Sequence, residues 1–180
     1  MRVIGIDPGT RHLGWGVLES EGTRVTHVAH GVIDTDTSAP LASRLVEIDD
    51  ALLQVFAEHR PEVAAVEALF FAKDPQSAAK LGHARGVVLL RLARAGIPFV
   101  EMPPARVKRA VVGGGLATKD QVARVITGIL RLDSPPRADA ADALANAFAH
   151  LTMARFTEAL EAAGARLPPS RRRGPARRGR

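Results

Sequence analysis

Apolar positions in this chain follow two rhythms. Short unbroken runs, Val3-Ile4-Gly5-Ile6 and Val63-Ala64-Ala65-Val66, read as strands buried on both faces. With these as anchors, strands are expected at residues 2–7, 62–67 and 97–102, and residues 13–19 and 24–33 extend the first as an antiparallel meander. The second rhythm is helical. Between Pro40 and Pro61, residues Leu41, Leu45, Ile48, Leu52, Val55 and Phe56 recur at helical spacing. Asp74 followed by Pro75 caps another helix that runs to about Ala95, where Gly96 stops it. Pro103 and Pro104 open a helix to about Val112, and Gly113-Gly114-Gly115 form a flexible break. Thr118 with Gln121 is a capping box for a helix to about Leu132. Pro135 and Pro136 precede a last helix, from about Ala138 to Ala163.

Three strands, then helix, strand, helix, strand and further helices predict an α/β fold. Its core is a mixed five-stranded sheet flanked by helices. From Leu167 onward Pro, Arg and Gly dominate, so the expected organisation is one domain over 1–165 and a disordered Arg-rich tail over 166–180.

Composition narrows the function classes. Hydrophobic residues make up 46% of the 180 positions, enough for a sizeable core. No run approaches the roughly 20 apolar residues of a membrane span. No signal-peptide pattern opens the chain, which favours the cytoplasm. Cysteine is absent, which excludes disulfides and thiolate metal sites. The formal charge is +6, but six of the 25 basic side chains fall in the last ten residues, and the others equal the 19 acidic ones in number. The body is charge-balanced, so any nucleic-acid surface on it requires segregated charge. The tail can add salt-sensitive affinity or simply aid solubility.

The candidate chemistry lies in four carboxylates. Asp7 and Glu67 each end an apolar strand, and Asp139 and Asp142 stand three apart in the Ala-rich stretch 138–145, facing one way on a helix. Each alone has a plain role: Asp7 organises a turn before Pro8-Gly9, Glu67 ends a strand, Asp139 caps a helix, and Asp142 is a first-turn acid. Together they suggest a cage for hard divalent cations, because converging carboxylates repel one another and lose hydration. Two cations about 3.5–4 Å apart could clamp a scissile phosphate. The six histidines lack an HExxH spacing, and neither a zinc site nor a Ser-His-Asp relay is expected. Trp15, the only tryptophan, is read as core.

The segments GIDPGT (5–10) with GWG (14–16), VEALFFAKD (66–74), KLGHARG (80–86), KRAVVGGG (108–115) and ADAADALA (138–145) resemble, in order, those of the RuvC family of Holliday-junction resolvases. The resemblance extends through about residue 150. It implies an RNase H-like fold and a homodimer that nicks two opposing strands of four-way junction DNA. It also implies Mg2+ or Mn2+, two ions per active site, and products with 5′-phosphate and 3′-hydroxyl ends. Action alongside the RuvA and RuvB branch-migration proteins, in recombination and repair, follows as well.

By position, Asp7, Glu67, Asp139 and Asp142 become the catalytic metal ligands, with some relatives carrying His where Asp139 stands. Lys108 and Lys119 become DNA contacts, and Phe70 a wedge for an unstacked junction step, with Phe71 left to anchor the loop. Lys80 and Arg85 are further candidates for facing DNA. Gly82 and Gly86, four apart, permit close packing, either inside the monomer or against a second copy. An RNase H-like nuclease acting on structured RNA or other branched DNA is the alternative. An actin-like ATPase, which shares a similar phosphate turn, would need a far longer chain.

Overall fold

Strands β1 (Arg2–Asp7), β2 (His12–Glu21), β3 (Arg24–Asp34), β4 (Val63–Glu67) and β5 (Phe99–Met102) form one sheet in the order β3-β2-β1-β4-β5. The computed structural model describes residues 1–68 and 75–162, with the side chains of 75–77 excepted. β1, β2 and β3 pair antiparallel, while β1–β4 and β4–β5 are parallel. The sheet is therefore mixed, as the meander followed by helical crossovers predicts.

Alternation along the strands sorts the core into two layers. Ile4, Ile6, Leu13, Val17, Ala64 and Val66 face helices α1 (Leu41–His59) and α2 (Pro75–Arg94), meeting Ile48, Leu52, Phe56, Ala84, Val88 and Leu92. Trp15 is half-buried on this side, its ring 5.3 Å from that of His59. Val3, Leu18, Ala65 and Met102 face the other way, toward α3 (Pro104–Val112), α4 (Lys119–Ile129) and α5 (Ala138–Ala162).

Helix α5 lies on the sheet with almost no side chain between the two backbones. A Cβ on Gly5 would stand 1.8 Å from the Ala143 carbonyl oxygen, and one on Gly14 would stand 1.9 Å from that of Asp139. Only glycine permits that approach, and Ala140, Ala141, Ala143 and Ala147 complete the fit from the helix.

The capping box forms as expected. Gln121 N–H donates to Thr118 Oγ1 at 3.2 Å, and Thr118 N–H donates to Gln121 Oε1 at 2.8 Å. The helix it opens ends earlier than the apolar pattern suggested. The helix stops at Ile129 and Arg131 turns left-handed at φ 53°, while Leu130 and Leu132 still pack onto the core from the turn. The expected disordered tail, 166–180, lies outside the described residues. No helix among the described residues is long and apolar enough to cross a membrane.

Candidate active site

Parity places the first two acids. Asp7 lies two residues beyond Gly5, and Glu67 two beyond Ala65, so both side chains leave the sheet on the face that α5 covers. Ile6 pairs with Val66 in the parallel β1–β4 ladder, so the residues that follow, Asp7 and Glu67, end neighbouring central strands side by side. Glu67 stands close enough to raise the Asp7 carboxyl.

The close seat of α5 brings in the helical acids. Asp142 lines a cleft of about 230 Å³ together with Glu67, Pro104, Val107, Lys108, Lys119, Val122 and Asn146. Lys119, placed in the first turn of α4 by the capping box, donates from Nζ to Asp142 Oδ2 at 2.6 Å. Asp139 lies in the first turn of α5, with its carbonyl against Gly14, the cross-strand partner of Asp7. The start of that helix is tethered from outside, since Arg137 donates through both terminal nitrogens to Asp34, at 2.5 and 2.8 Å, and His12 bonds the same carboxylate. A wider cleft, about 880 Å³, opens elsewhere, between β3 and the turn after α4, and contains none of the four acids.

Electrostatics show what the arrangement lacks. Burial pushes the Asp7 carboxyl up to about 9. The hydrogen bond to Glu67 and the charges of Glu67 and Asp142 add to the rise, and Lys119 opposes it. Two lysines, Lys119 and Lys108, border three clustered acids, so this corner is short of positive charge. Among the described residues, no three such side chains are drawn to ligand distance about one point. In their place, a proton is favoured on Asp7, and Lys119 sits on Asp142. An all-oxygen donor set with unmet negative charge fits a hard cation such as Mg2+ or Mn2+, and is a poor match for thiophilic metals.

The remaining expected contacts fall differently. Lys108 is half-buried at the cleft with the acids, and Lys80 is exposed on α2. Phe70 and Phe71 lie outside the described residues. Arg85 corrects an expectation: it is only 5% exposed and turns inward, donating to the Glu67 carbonyl at 2.6 Å and to Glu101 Oε1 at 2.5 Å. It therefore offers DNA no free guanidinium. Asn146 went unnoticed in the sequence; it is 2% exposed and donates to the Ile6 carbonyl at 3.4 Å. Its one signal was an amide amid the alanines of a helix otherwise built for close packing.

A mixed five-stranded sheet with acids at its central strand ends, and a third acid from a helix laid across them, defines an RNase H-like nuclease of the resolvase type. The model of the family Crossover junction endodeoxyribonuclease RuvC matches residues 3–150. The Crossover junction endodeoxyribonuclease RuvC of Sorangium cellulosum is 68% identical over 168 residues, which cover 93% of this chain and 94% of that protein. The structure of T. thermophilus RuvC in complex with Holliday junction substrate superposes with a TM-score of 0.82 at 40% identity, covering 87% of this chain and 96% of that one. A yeast mitochondrial Holliday junction resolvase, at 13% identity and a TM-score of 0.62, shares the fold; the alignment spans 89% of this chain and 83% of that one. The chain belongs to the RuvC family and is an endodeoxyribonuclease.

Proposed function

We propose that this protein resolves four-way DNA junctions by cutting two opposing strands symmetrically, leaving 5′-phosphate and 3′-hydroxyl ends. The observation that carries this reading is the meeting of Asp7, Glu67 and Asp142 with Lys119 and Lys108 at one corner of the sheet. Asp7, Glu67, Asp142 and Asp139 would hold Mg2+ or Mn2+, two ions per site. When bound, the cations supply a Lewis acid for water activation and for the leaving 3′ oxygen. A bound cation would favour the ionised Asp7 carboxylate, and would free Lys119 from Asp142 to meet a phosphate. Lys108 borders the same cleft, Lys80 on α2 would extend the contact, and Phe70 would supply the stacking wedge.

The assembly is a homodimer built on α2. A Cβ on Gly82 or Gly86 would meet no atom of the described residues within 4 Å, which leaves room for a second copy at this small-residue face. Two copies related by a two-fold axis match a substrate with two equivalent strands. As in the family, the protein works in the cytoplasm with RuvA and RuvB.

The test is a nicking assay on a synthetic four-way junction, with linear duplex and structured RNA as competitors, with and without Mg2+. The expected result is paired symmetric nicks in the junction alone, dependent on the cation. Equal cleavage of linear duplex or RNA would contradict the reading.

A further inference from the structure

Three polar side chains are buried among the described residues: Thr35, Arg85 and Asn146. All three donate to main-chain carbonyls at the acid-bearing end of the sheet. Thr35 Oγ1 reaches the Thr10 carbonyl at 2.8 Å, in the turn after Asp7, and Arg44 bonds the same oxygen. Asn146 reaches the carbonyl of Ile6, directly before Asp7. Arg85 reaches the carbonyl of Glu67 itself. A buried charge is costly unless it is paired and hydrogen-bonded, and Arg85 is supplied with both an acid, Glu101, and a carbonyl.

What Arg85 holds is one peptide unit. Its carbonyl, from Glu67, accepts from Arg85 at 2.6 Å, and its N–H, from Ala68, donates to the Met102 carbonyl at 3.0 Å. The plane is fixed from α2 on one side and β5 on the other, and with it the backbone angle that aims the Glu67 side chain. Without that clamp, repulsion from Asp7 and Asp142 would swing the strand end outward, since β4 ends at Glu67 and the Ala68 N–H bond to Met102 would be left to hold the peptide alone among the described residues.

We propose that Arg85 is a positioning residue for the metal site: by clamping the Glu67–Ala68 peptide to α2 and β5, it sets the aim of the Glu67 carboxylate toward the cation. The proposal rests on Glu67 being a ligand. Partners that orient metal ligands alter metal affinity about 10–100-fold when removed. Arg85→Met, which keeps the buried stem and removes both donors, should therefore weaken Mn2+ binding about tenfold, read by electron paramagnetic resonance of the free ion on DNA-free protein. The Mg2+ concentration for half-maximal junction nicking should rise in parallel, the rate at saturating Mg2+ should largely recover, and metal-free junction binding should stay at the parent's level.

A merely structural arginine would lower the melting temperature and the active fraction while leaving both metal titrations unmoved, and that result would overturn the proposal. Should Arg85→Met not fold, Arg85→Lys decides. It retains one donor, so a metal shift smaller than that of the methionine variant but clearly measurable is expected, and an unchanged titration overturns the proposal. Glu67→Gln separates the two claims. If it binds Mn2+ like the parent, Glu67 is not a ligand and the underlying reading fails. If it loses Mn2+ while the Arg85 variants do not, only the positioning role fails.

Discussion

The two faces of the sheet are packed by opposite means. Toward α1 and α2 the contacts are side chain on side chain, with Ile48, Leu52, Phe56, Val88 and Leu92 against Ile4, Ile6, Leu13 and Val17. Toward α5 they include backbone on backbone, with Gly5 and Gly14 directly beneath the helix and the Leu144 side chain over Gly16. Interdigitated aliphatics tolerate repacking. A helix seated on glycines has no such slack, and its height above the sheet is set by main-chain contact. The acids lie on that second face. Both faces bury aliphatic side chains, but on the α5 face main-chain contact also sets the position of the acids, and substitutions should separate the two effects.

The largest effect belongs to the acids. Asp7→Asn should bind junctions like the parent yet nick them at least about a hundredfold more slowly in Mg2+, a loss beyond the lower end for orienting partners. Its stability should move the other way. The Asp7 carboxyl is raised to about 9 in the fold from an ordinary value of 3.8. The native state therefore binds a proton that the unfolded chain has released, and metal-free stability falls as pH rises from about 4 toward 9. The asparagine variant has no such proton to lose. Thermal melts in EDTA should show it more stable than the parent at pH 8, with the advantage shrinking toward pH 4. A constant difference across that range would remove Asp7 from the charge cluster.

Next comes the glycine face. Gly14→Ala places a methyl against the Asp139 carbonyl, where the helix must lift. Overpacking of this kind costs about 1–3 kcal/mol. Nicking by the fraction still folded should fall as well, because Asp139 and Asp142 move with the helix. The contrast is Leu52→Ala on the opposite face. That truncation should cost about 2–5 kcal/mol by denaturant unfolding while leaving nicking per folded molecule at 25 °C unchanged. Equal losses of activity from both variants would collapse the distinction between the faces. The smallest effect is expected from Asp34→Asn, which cuts the half-exposed tether to Arg137. Its slight drop in melting temperature should vanish in high salt, as solvent-facing pairs do.

Much of this was legible in the residues because the chain punctuates itself. Pro, Gly and Asp bracket the strands, and Thr118 with Gln121 announces a helix start that forms as written. That Asp7 and Glu67 end strands was readable too. That they share a face required the pairing of β1 with β4, which no local pattern encodes. The close seat of α5 depends on glycines more than 120 residues away in the chain, so the alanine stretch could be seen and its partner could not. Arg85 was misread for a related reason. An arginine on a helix of small residues looks solvent-facing until β4 and β5 present a carbonyl and a carboxylate to its guanidinium. Leu132 misled by being apolar, since burial from a turn leaves the same mark in a sequence as burial from a helix.

The central claim is that carboxylates from β1, β4 and α5 form one cation site. Its most direct test counts bound Mn2+ by electron paramagnetic resonance on DNA-free protein, for the parent and for Asp7→Asn, Glu67→Gln and Asp142→Asn separately. Saturable binding by the parent and a marked loss in every one of the three are expected. Parent-level binding in any of them would place that residue outside the site and contradict the account.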